Sequence, residues 1–165
     1  MNEASKIYAN RPFAHYFSNG KYKILTYANV GHLATNLACR WAKEAQDVKV
    51  TTLIADHNID YLIIMLALMK LRITLSVLCP KNSEAAVVNL LEKTKSNLVF
   101  SSKKCEPLVK SSAEKVKEKS IKVITVDRLD IEASLNEELN PDYEKILDLK
   151  FSEDDIRKDA LIIHR

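Results

Sequence analysis

The 165 residues, at 18.7 kDa, are enough for one domain with a sizeable core. Apolar residues at 47% and charged residues at 28% fit a globular chain, and a net charge of +3 gives no reason to expect a nucleic-acid or membrane partner. Only two glycines, Gly20 and Gly31, are present, so neither a dinucleotide fingerprint nor a P-loop can be written, because both need several glycines for close backbone approach to phosphate.

In chain order, residues 1–16 show no sustained period and read as an irregular arm that packs Phe13 and Tyr16 onto the domain. Ser18-Asn19-Gly20-Lys21 reads as a two-residue hairpin turn, since Asn-Gly tolerates positive φ angles, joining strands at His15–Phe17 and Tyr22–Leu25. Thr26 caps a helix from Tyr27 to about Gln46, with Val30, Leu33, Ala34, Leu37, Ala38, Trp41 and Ala45 along one stripe. Val48–Ala55 reads as a strand, and Asp56-His57-Asn58 as the loop and cap before a helix. From Tyr61 to Met69 that helix is apolar all round, which predicts burial on every side.

Ile73–Leu78 is a strand ended by Cys79-Pro80, and Asn82 or Ser83 caps the next helix, with Glu84 in its first turn. Asn97–Ser101, a helix over Glu106–Lys119 and Ile121–Val126 continue the alternation. Residues 127–158 lack a period and read as a surface excursion. Ala160–His164 reads as a buried final strand. This order predicts an α/β fold, a partial doubly wound parallel sheet with flanking helices. Residues 1–21 form an arm and hairpin, and residues 22–165 the domain proper.

No apolar leader opens the chain, so secretion is not indicated. Cys39, Cys79 and Cys105 are odd in number and far apart, which fits reduced thiols in the cytoplasm better than disulfides or a zinc site.

Candidate chemistry is sparse. Asp56 and His57 stand at a strand's carboxyl end, where acid–base groups occur, yet no nucleophile accompanies them and a capping loop is the simpler reading. His15, His32 and His164 show no ligand spacing. Cys79 reads as a small buried residue closing a strand rather than a nucleophile. Lys103, Lys104, Lys110, Lys115, Lys117, Lys119 and Lys122 are interrupted by Glu106, Glu114 and Glu118 and lack interleaved aromatics, as on a solvated helix face. The apolar run is too short for a bilayer, which needs roughly 20 residues.

Leu25-Thr26-Tyr27-Ala28-Asn29-Val30 resembles the first core motif of the adenylate-forming (AMP-binding) synthetase superfamily, and the stretch from Leu66 to Pro80 resembles its second. Pro80-Lys81-Asn82-Ser83 followed by Ala85–Leu91 is similar to the fungal peptide-synthetase-like carboxylic acid reductases, which begin with such a domain. The resemblance implies ATP and Mg²⁺ as cofactors of the intact family. It implies as partners a carboxylic acid and a thiol carrier, CoA or phosphopantetheine. Asn29 stands where the family has glutamate, which predicts loss of the reciprocal capping-box bond to Thr26. Leu71 or Arg72 replaces the motif glycine, so that turn must be made another way.

The family's phosphate-holding loop follows the strand resembling Ala160–His164, and Arg165 stands where it would begin. The expectation is therefore an adenylation domain truncated before that loop, inactive alone. No catalytic, cofactor-binding or metal residue is carried over. The alternative is a free-standing flavodoxin-like interaction or regulatory module.

Overall fold

The computed structural model of the protein describes residues 2–117, 120–147 and 160–163. The expected irregular arm instead begins with a short helix, α1 (Asn2–Ile7), and runs directly into β1 (Pro12–Ser18). Together with β2 (Lys21–Thr26), β1 makes the expected hairpin, its strands longer than the sequence indicates. Asn19 and Gly20 have φ of 51° and 76°, as the turn requires.

Thr26 caps α2 (Tyr27–Trp41). The expected loss of the reciprocal bond is incorrect. The Asn29 N–H donates to Thr26 Oγ1 at 3.2 Å, and the Thr26 N–H donates to Asn29 Oδ1 at 3.0 Å. The box needs a carbonyl-type oxygen at its third position, and the amide of Asn29 supplies one on a shorter stem. α2 ends at Trp41 rather than Gln46, and the chain turns through residues 42–47 to a left-handed Asp47.

β3 (Val50–Ile54) leads to α3 (Ile59–Lys70), then β4 (Thr74–Leu78), α4 (Glu84–Thr94), β5 (Leu98–Ser102), α5 (Glu106–Lys115) and β6 (Lys122–Val126). Ser83, not Asn82, caps α4 by accepting from the Ala86 N–H at 3.3 Å. Within 127–158, two short helices, α6 (Ile131–Asn136) and α7 (Tyr143–Ile146), replace the expected featureless excursion, and residues 148–159 lie outside the described residues. Ile131 and Leu147 are buried in the core beside α2, so this segment is anchored by packing that its sequence period does not announce.

β7 (Leu161–Ile163) completes a five-stranded parallel sheet in the order β6-β5-β3-β4-β7. Among the described residues β7 is an edge, not the expected buried strand: Leu161 and Ile163 are exposed, and His164 lies outside the described residues.

The sheet divides the core by the strands' period of two. Leu53 and Phe100 face Leu33, Leu37, Ile63 and Leu68 of α2 and α3. Ile54, Leu78 and Val99 face Val87 and Leu91 of α4 and Val109 of α5. This is the α/β, doubly wound parallel arrangement expected from the sequence. α3 is not covered all round. Ile63, Ile64, Ala67 and Leu68 are buried, whereas Leu62, Met65 and Leu66 are half-buried and Met69 is exposed. Those four share the outer stripe, where Met65 and Leu66 still pack against the core cluster and Met69 reaches solvent.

Candidate functional site

The loop after β3 enters α3 on one face of the sheet, and the loop after the adjacent β5 enters α5 on the other. Strand ends that diverge in this way open a crevice, the usual ligand position of open parallel sheets. Here it measures about 390 Å³ and takes its walls from the ends of β3, β5 and β6, including Asp56, Asp60, Ser101, Ser102, Lys104 and Arg128.

Of the sequence candidates, the fold brings Asp56, Lys103 and Lys104 to this rim and pairs them off. Lys104 Nζ lies 3.3 Å from Asp56 Oδ1, and Lys103 Nζ lies 3.5 Å from Asp127 Oδ2. His57 is exposed and packs its ring edge-on to Tyr61 at 4.8 Å rather than on an acid. The capping reading of this loop holds: Asn58 Oδ1 accepts from the Tyr61 N–H at 2.9 Å.

Asp60, which the sequence reading treated only as the flank of the apolar run, is the group it missed. It is 7% exposed and lies between the crevice and a neighbouring groove of about 680 Å³ under the hairpin. Burial pushes its carboxyl up, opposed by the Arg128 guanidinium and by the Leu129 N–H, which donates to it. Its position in the first turn of α3 was a readable signal, because a helix N-terminus stabilises a carboxylate. Ser102 Oγ, also in the crevice wall, is buried without a hydrogen-bond partner.

The remaining candidates do not converge. His15 is exposed on the hairpin, and His32 Nε2 lies 3.2 Å from Asn36 Nδ2 on α2. Cys79 is exposed, not buried, because β4 ends at Leu78 and the thiol falls in the turn beyond it. Along α5, Lys110 pairs with Glu106 at 2.5 Å and Lys115 with Glu84. Hydrogen bonds from Lys115 and Ser111 hold Glu84 below the usual carboxylate range. Lys110 and Lys115 thus lie on a solvated, paired helix face, as expected, whereas Lys103 and Lys104 stand on the crevice rim, Lys122 opens β6, and Lys119 lies outside the described residues.

The crevice mixes apolar and polar walls and is close to charge-balanced, with Asp56, Asp60 and Asp127 against Lys103, Lys104 and Arg128, and among the described residues no nucleophile stands beside a base in it. Nor do the described residues form a triphosphate cradle. The loops after β3, β4 and β5 hold no glycine, and no three His, Cys, Asp or Glu among the described residues could share a metal ion. What this arrangement does is fix the rim of the sheet at the carboxyl ends of its strands.

The same fold occurs in solved adenylate-forming enzymes. A fatty acyl CoA synthetase of Mycobacterium tuberculosis superposes with a TM-score of 0.68 at 14% identity, over 98% of this chain and 31% of that one. The luciferase-like enzyme of the nonluminescent mealworm Zophobas morio gives 0.66 at 19% identity, over 81% of this chain and 32% of that one. A red-emitting luciferase of Phrixothrix hirtus gives 0.57 at 18% identity, over 86% and 36%. The chain thus spans about a third of the length of these structures, and its sheet and flanking helices correspond to the amino-terminal part of their fold. No curated protein matches the sequence. The sequence model of the AMP-binding enzymes matches residues 2–163, so the chain belongs to that family.

Proposed function

We propose that this chain is the amino-terminal layer of an enzyme that activates a carboxylic acid with ATP and Mg²⁺. In the intact enzyme the acid is joined to AMP with release of pyrophosphate, and the acyl group then passes to the thiol of CoA or phosphopantetheine. The likeness of Pro80–Ser83 and Ala85–Leu91 to the fungal carboxylic acid reductases makes aldehyde formation the product to look for after the thioester. The observation that carries the reading is the family match across nearly the whole chain. Taken alone, these residues do not adenylate. Transfer at phosphorus depends on positioned donors and metal around the phosphates, and the two lysines on the crevice rim, Lys103 and Lys104, are already paired with Asp127 and Asp56. Residues 22–165 are then the amino-terminal part of an adenylation domain.

Among the described residues, the partly exposed outer stripe of α3 and the exposed edge at β7 favour this reading over a finished interaction module, which would cover both. ATP–pyrophosphate exchange with a panel of carboxylic acids tests it. The 165-residue chain is expected to give background exchange, and a chain extended by the coding sequence after Arg165 to give acid-dependent exchange. Exchange by the short chain would overturn its inactivity. Failure of the extended chain across the panel would overturn the adenylating role.

A further inference from the structure

The outer side of the β1–β2 hairpin is apolar where a solvated sheet face should be polar. In-register pairing sets Phe17 beside Tyr22 and His15 beside Ile24 on this side. Phe17, Tyr22 and Ile24 are 58%, 80% and 53% exposed. The two rings meet edge-on at 5.3 Å, making one continuous patch. The other side of the hairpin already serves the core through Leu25, so the patch is not needed for folding. The tip stands in open solvent: Asn19 and Gly20 are exposed, and a Cβ added at Gly20 would meet nothing within 4 Å.

Charge is concentrated at the same end. Lys6, Arg11, Lys21 and Lys23 face a single acid, Glu3, in the first 27 residues, and acids and bases balance in the remainder. The net +3 that looked too small for a membrane partner is therefore entirely local. Lys21 is exposed at the tip, Lys6 and Arg11 are exposed on the adjoining segment, and Lys23 pairs with Glu132.

We propose that this hairpin docks on an anionic lipid bilayer. Phe17, Tyr22 and Ile24 enter the headgroup boundary, where amphipathic rings partition well, and Lys21, Arg11 and Lys6 meet the acidic headgroups. A second copy of the chain fits worse, since two copies meeting at this end would bring together two segments that each carry a net charge of +3 over residues 1–27. A protein partner fits worse too. Three side chains on a protruding tip fall far short of the roughly 800 Å² per side of a stable protein interface. The proposal does not depend on the adenylating role.

The test is co-sedimentation of the full chain with phosphatidylcholine vesicles, with and without about one-third phosphatidylserine. Binding is expected to the anionic vesicles and to fall as salt rises. Lys21→Glu should weaken it roughly fivefold or more, and Phe17→Ser with Tyr22→Ser about tenfold or more. All three positions are exposed, so the variants should keep the wild-type circular dichroism. Absence of binding, equal binding to neutral vesicles, or binding that survives the double substitution would overturn the proposal. A dimer in light scattering that the same substitutions abolish, without vesicle binding, would assign the face to a second copy instead.

Discussion

Arg72 makes the turn from α3 to β4 with φ of 58°, the left-handed region that a glycine adopts freely. Its N–H donates to the Met69 carbonyl at 3.2 Å, closing the helix. The sequence reading located the missing glycine here without saying how the turn survives. It survives because the residue that follows the cap accepts the strained conformation. A left-handed L-residue costs about 1–2 kcal/mol, partly offset by the extra unfolded-state entropy of glycine. Arg72→Gly is therefore expected to raise stability by about 0.5–1 kcal/mol, read as a higher urea midpoint at unchanged slope. A lower midpoint would mean that the contacts of the Arg72 side chain outweigh the backbone strain. Asn29 makes the complementary point. A substitution that looks damaging by residue type keeps both capping bonds, because acceptor chemistry matters more than side-chain length.

The α1–α2 contact turns on the second glycine. A Cβ at Gly31 would lie 2.7 Å from Ser5 Cβ and 3.0 Å from Ser5 Oγ, so α1 can sit where it does only because α2 has no side chain there. Alanine would favour α2 itself by about 1 kcal/mol. Gly31→Ala is expected to release α1, with faster proteolysis of the first residues and little change in global unfolding. Adding Ser5→Gly should restore protection; continued cleavage would show that the crowding lies elsewhere. The α1 helix itself escaped the sequence reading because six residues are too few to show a helical period, and its place is decided by packing on α2. The strands and long helices were legible because β-branched runs and i, i+3, i+4 stripes repeat over enough residues to be read. α6 and α7 were not, because each buries a single anchor or a neighbour of one.

Over the whole molecule, Asp60 ties α3 to the segment that leaves β6, and it links stability to pH. Its pKa is raised by burial, with Arg128 and Leu129 opposing. The folded state therefore holds the proton more tightly than the unfolded state. Stability falls as pH rises from the ordinary carboxylate range through the raised value, and the burden of the buried charge persists above it. Asp60→Asn is expected to flatten this slope and to match or exceed the wild type at neutral pH, while an amide oxygen still accepts from the Leu129 N–H. Denaturant curves across the acid range decide it. If the variant is weaker at neutral pH, the Arg128 pairing outweighs desolvation.

By itself the sequence determined the parallel α/β sheet, the hairpin, the capped helices and the family, because these rest on periodicity, turn chemistry and local motifs that act within a few residues of chain. Only the tertiary structure decided which strand is an edge, which side of α3 is less covered, and that Asp60 rather than His57 is the buried ionisable group of the crevice. It also decided that the basic rim is already paired. Those properties depend on what lies opposite each side chain across long sequence separations, such as Lys104 against Asp56 and Phe100 against Trp41. No local pattern encodes that pairing, because burial and charge neutralisation are set by neighbours that only folding brings together.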